Sequence, residues 1–127
     1  MPPLVAIDRS DVREGKLAEL KAAFEHLVAF VHEREPLMIA YVVSVDGDDR
    51  TVTVLQVHPD PASMESHMRI AAEEFPGFAD LLTLRSMDVY GDPSPALLEL
   101  IHRKVEMLGA GTVVVHPGHA GFARSSS

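Results

Sequence analysis

The stretch Leu55–Phe75, LQVHPDPASMESHMRIAAEEF, decides the fold. It closes a strand: residues 51–57, TVTVLQV, are rich in β-branched side chains, and His58 and Pro59 end the run. Asp60 directly before Pro61 suits an N-cap followed by proline at the first helical position. Met64, Met68, Ala71 and Phe75 then recur at three- and four-residue spacing, so they share one helix face. His67 follows Met64 by three and precedes Ala71 by four, which puts it on or beside that face. Pro76-Gly77 is the stop signal. A strand that turns sharply into a helix carrying an inward histidine places the candidate ligand site between helix and sheet.

Working outward, Leu4–Ile7 is a short apolar strand. Asp11 and Glu14 have the spacing of a capping box that opens a helix. Leu17, Leu20, Phe24, Leu27, Val28 and Val31 form its apolar stripe through about Arg34, and Pro36 closes it. Leu37–Val45 is a second strand with apolar residues on both faces, and residues 46–49, DGDD, turn the chain back. After the central helix, Phe78–Leu82 is read as one further helical turn and Thr83–Tyr90 as a fourth strand. The order βαββαβ is the ferredoxin-like, α+β arrangement. Two helices cover one face of a four-stranded sheet. A second strand that is apolar on both faces needs cover on the other side as well, which predicts a homodimer. Ser94 and Pro95 start a third helix with Leu97, Leu98, Ile101, Val105 and Leu108 on its apolar face. Gly109-Ala110-Gly111 ends it, Thr112–His116 is a fifth strand, and residues 117–127 are a tail. The whole is one domain, 1–127, with a core at 3–90 and a helix-plus-strand extension at 91–127. That extension either packs on the edge of its own sheet or is handed to the partner subunit.

Composition narrows the function. A net charge of −8 argues against nucleic acid and against anionic membrane surfaces. No cysteine is present, so thiolate metal sites, disulfides and cysteine nucleophiles are excluded. No apolar run approaches the roughly 20 residues of a membrane span, and the first ten residues carry no secretory pattern, so a cytoplasmic protein is expected. Nucleotide-binding and serine-hydrolase motifs do not occur. His116 and His119 are two ligands where a zinc centre needs at least three from the protein, so no metal is expected there.

The run Glu35-Pro36 closing the first helix, the apolar strand through Tyr41, the strand at 52–57, and then Asp60 and His67 resemble the antibiotic biosynthesis monooxygenase-like (ABM) family of the dimeric α+β barrel superfamily. The resemblance spans roughly residues 3–90. It implies a homodimer whose two sheets pack together, with a cleft in each subunit between sheet and helices. Some members of that family oxidise polycyclic aromatic or quinol compounds without metal or flavin, some degrade haem, and some isomerise lactones. The oxygenases and the haem-degrading members rely on an asparagine and a tryptophan in the cleft, and this chain contains neither. His67 matches the helix histidine common in the family.

The candidate catalytic residue is therefore His67, as a general base toward a phenol or quinol, with a half-buried histidine bonded to the sheet as the alternative. Candidate substrate contacts are His58, Gln56, Tyr41, Met64, Met68 and Arg85. Gln56 and His58 alternate with Val52 and Val54 and so share a strand face. Tyr41 can donate a hydrogen bond, the methionines adapt to a flat apolar ligand, and Arg85 can hold a carboxylate or enolate. The leading expectation is a cofactor-independent monooxygenase-like protein acting on a small apolar, aromatic or polyketide-type compound. The alternatives are a non-catalytic ligand-binding or structural homodimer and a haem-binding or haem-degrading protein.

Overall fold

A computed structural model describes residues 2–124, so Met1 and the three closing serines of the tail lie outside the described residues. The elements are β1 (Leu4–Val12), α1 (Leu17–Arg34), β2 (Ala40–Val45), β3 (Thr51–His58), α2 (Pro61–Ile70), β4 (Leu82–Tyr90), α3 (Pro95–Leu108) and β5 (Thr112–His116). They build a five-stranded sheet in the order β2-β3-β1-β4-β5. The first four strands are antiparallel, which is the ferredoxin-like sheet, and β5 joins β4 in parallel. The extension thus packs on its own sheet edge. Gly111 lets the chain enter β5, because a Cβ there would stand 2.4 Å from the Arg85 carbonyl oxygen.

One face of the sheet carries the core. Leu20, Phe24, Leu27 and Val31 of α1 are buried at helical spacing, and the Phe24 and Phe78 rings meet 4.8 Å apart. Met64, His67 and Met68 of α2, followed by Ala71 and Phe75, are buried, as the spacing predicts. The two proline starts form as read. Asp60 accepts from the Ser63 N–H, and Ser94 accepts from the Leu97 N–H. The opposite face bears partly covered Val5, Ile7, Leu55 and Val57, together with Val42, Tyr90 and Val114, which are 40–50% exposed.

Several boundaries differ from the sequence reading; β3 runs one residue further, to His58, and β4 starts one residue earlier, at Leu82. β1 runs to Val12 rather than Ile7, because β3 and β4 flank it and pair along its length. Asp11 is consequently a strand residue and no capping box forms; α1 begins after Lys16 without a side-chain cap. β2 starts at Ala40 rather than Leu37. The Met38 N–H bonds back to Glu35 after Pro36, and pairing to β3 begins only with the Ile39 N–H. α2 ends at Ile70 and tightens into 3₁₀ turns at Ala71–Glu73 and Phe75–Phe78, ahead of Pro76, which supplies no N–H to an α-helical ladder. The turn expected at Phe78–Leu82 is this second one, earlier by three residues at its start.

Candidate functional site

Beneath the helices the core is unusually polar. Alternation along β1 turns Leu4, Ala6, Asp8 and Ser10 inward, and along β3 it turns Val52, Val54, Gln56 and His58 inward. Tyr41 of β2 lies opposite Gln56. Glu35 sits just past α1, His67 and Ser63 come from α2, and Lys104 comes from α3. Eight of these nine polar or charged side chains are buried, and Tyr41 is partly so.

They sort into three linked groups. The first is an ion-pair-type contact: His67 Nδ1 lies 2.9 Å from both Glu35 carboxylate oxygens. A carboxylate only accepts, so Nδ1 carries the hydrogen, and in the neutral form of the ring the lone pair is on Nε2. That Nε2 is buried and has no protein partner. The second is a chain. His58 Nε2 is 2.8 Å from Gln56 Oε1, and His58 Nδ1 is 2.8 Å from Ser63 Oγ. The amide oxygen accepts, so His58 donates from Nε2 and takes the Ser63 hydroxyl hydrogen at Nδ1. Gln56 Nε2 is left without a protein partner. The third is Lys104 Nζ on Asp8 Oδ2 at 2.6 Å. The His67 ring stands 5.5 Å from the Tyr41 ring and 5.8 Å from the His58 ring.

These surroundings fix two protonation states. Burial first, then the Asp8 and Glu35 carboxyl groups, hold the Tyr41 phenol protonated well above its ordinary range. Burial, with His67 adding to it, lowers His58 to about 3, so His58 is neutral near pH 7. The unfolded ring titrates near its ordinary 6.5. Between those values the unfolded chain binds the extra proton. The stability from burying neutral His58 is therefore whole above about pH 6.5 and is lost as pH falls toward 3, at up to ~1.4 kcal/mol per pH unit. Guanidinium unfolding between pH 7 and pH 4 should show this fall. His58→Gln should flatten the slope, and equal slopes would mean that His58 is not its source.

Tyr41 also borders open space. An apolar groove of about 670 Å³ runs between α1 and β2, lined among others by Leu20, Phe24, Val28, Tyr41 and Val43. That volume suits a small organic ligand. On its inner side Tyr41 borders a small chamber of about 30 Å³ shared with Asp8, Ser10 and Lys104.

Of the residues singled out from sequence, His67, His58, Gln56 and Tyr41 come together, with Met64 and Met68 buried on the inner face of α2. Arg85 does not join them. It is exposed and bonded to Asp11, on the sheet face away from the helices. Glu35, Asp8, Ser63 and Lys104 were not singled out as site residues. Periodicity marks two of them: Glu35 is four past Val31, and Lys104 is three past Ile101 and four before Leu108. No group of three or more metal-ligating side chains occurs among the described residues. No described helix is long and apolar enough to cross a membrane.

The sequence matches no family model and no curated protein. Solved structures do match. A putative antibiotic biosynthesis monooxygenase from Bacteriodes thetaiotaomicron aligns over 65% of this chain and 85% of its own, at 20% identity and TM-score 0.58. Another from Deinococcus radiodurans aligns over 72% and 93%, at 14% identity and TM-score 0.60. The chain has the ABM-like fold. MupZ from Pseudomonas fluorescens aligns over 98% of this chain and 96% of its own, at 16% identity and TM-score 0.74. At that coverage the MupZ likeness takes in α3 and β5, so the ABM-like fold with this extension recurs in a second protein.

Proposed function

We propose that this ABM-like chain is a small-molecule enzyme whose base is the His67–Glu35 pair. It removes a proton from an electron-rich phenol, quinol or activated CH₂ held in the groove beside Tyr41. The resulting anion passes electrons to dioxygen. When a CH₂ becomes a carbonyl, one oxygen atom enters the product and the other leaves as water. The observation that carries this reading is His67 Nε2: a buried ring nitrogen, oriented by a carboxylate through Nδ1, with no protein partner of its own. Glu35 fixes the ring and its tautomer and offsets the charge that the ring acquires. Tyr41, kept as a phenol, donates to the oxygen of the substrate. As part of this reading, the open sheet face with Val42, Tyr90 and Val114 is covered by a second copy, giving a homodimer.

A second reading has its own support. His67 is fully buried, and the chamber inside Tyr41 has room for little more than a water. On that reading the polar cluster holds the core together and the groove only binds. Among the described residues, His67 lines neither the groove nor the chamber, and its ring has no exposed surface to meet a haem. Oxygen uptake by the full chain on a panel of hydroquinones and polycyclic phenols separates the first two. Consumption above the spontaneous rate supports the enzyme, and none on any compound leaves the binding protein.

A further inference from the structure

The base reading uses Asp8 only through its hold on the Tyr41 phenol and makes no use of Lys104, yet both are built into the core at a cost. Asp8 stands mid-strand in β1, 4% exposed, and α3 lays Lys104 upon it. The ammonium also lies 5.1 Å over the Phe75 ring. A buried charge requires a partner, and each supplies the other's. The pairing is incomplete, however. Asp8 Oδ1 is buried and has no protein partner, and an ammonium has three donors, of which the carboxylate takes one. Both residues face the small chamber of about 30 Å³ that they share with Ser10 and Tyr41. Its other walls are apolar, among them Phe24, Leu27, Phe78 and Leu84. A chamber of that size holds one water-sized group, and an acceptor, an ammonium, a hydroxyl and a phenol bound it.

We propose that this chamber is a subsite for a single oxygen atom, with Lys104 of α3 as its cationic donor. A water occupies it in the free protein. A hydroxyl oxygen of the ligand replaces that water when the ligand reaches past Tyr41, donating to Asp8 Oδ1 and accepting from Lys104 Nζ. The ligand half rests on the enzyme reading above; the water half does not. As a proton leaves the carbon or oxygen beside it, the bound oxygen gains negative charge. The Lys104 ammonium beside it stabilises that charge. The helix that follows the βαββαβ core is on this account part of the site.

The first test is a crystal structure of the full chain at a resolution that shows ordered water. Density within hydrogen-bond distance of Asp8 Oδ1 and Lys104 Nζ is expected. An empty chamber, or Lys104 turned to solvent, overturns the subsite. The second test uses oxygen uptake on hydroquinone. Asp8→Asn with Lys104→Met removes both charges without stranding either, and should lower kcat/KM about 10²-fold. Lys104→Arg keeps the cation and should retain most of it. A folded double variant with unchanged kcat/KM overturns the ligand half. Wild-type protein that consumes no oxygen on any phenol removes the enzyme reading and the ligand half with it, and the density alone then decides the water site.

Discussion

His67→Ala is expected to lower oxygen uptake by about 10²–10⁴-fold, the usual contribution of a positioned general base. The loss should fall on kcat, with KM little changed, because the ring acts on the proton in flight and not on the groove that holds the ligand. Alanine also leaves the Glu35 carboxylate buried, its side chain only 5% exposed, without its partner. Glu35→Gln is the cleaner companion, since it keeps the volume and an oxygen that accepts from Nδ1 while removing the charge behind the ring. It should cost roughly 10²-fold or more, through poorer control of the tautomer and an uncompensated imidazolium. Circular dichroism and unfolding on the same preparations separate this from instability. A structural role would reduce the folded fraction and leave turnover per folded molecule untouched.

Lys104→Met is expected to destabilise the fold by about 3–5 kcal/mol, because it strands the Asp8 carboxylate in the core. That is a large share of the 5–15 kcal/mol typical of a domain. The double variant with Asp8→Asn should recover most of the loss, since a neutral pair of similar size leaves no buried charge. Guanidinium unfolding of wild type, both single variants and the double gives the coupling directly. Equal losses in Lys104→Met and the double variant would mean that packing of the α3 side chain, and not the ion pair, carries the effect.

The parts of the fold legible in sequence are those where local chemistry and tertiary position agree. Asp60-Pro61 and Ser94-Pro95 start helices where they stand, and Thr112–His116 is a strand at both of its read ends. β1 was read five residues short because Asp8, Ser10 and Asp11 look like the end of an apolar run. Their pairing is decided by β3 and β4, which lie far along the chain, and the sheet overrides composition. The same residues explain what was missed in the site. A histidine on an apolar helix face draws notice, whereas an aspartate in a strand or a lysine in a helix passes as solvated. Asp8 and Lys104 are inward because each neutralises the other, a relation that no local window contains. Arg85 follows inward Leu84 and so faces out by plain alternation. There it pairs with Asp11, the exposed salt bridge that is the alternative to a substrate contact. The register shift between Arg9 and Ser10 then leaves Ser86 outside the buried alternation as well.

The contact between Asp8 and Lys104 joins residues 96 apart in the chain. β1 is the middle strand of the sheet, and both of its neighbours are synthesised after it. During translation, therefore, the first strand leaves the ribosome with a carboxylate whose countercharge has not yet been made. Native packing around β1 cannot be completed until α3 has emerged. The chain should be a slow, late-committing folder with a nascent form open to chaperones for most of its synthesis.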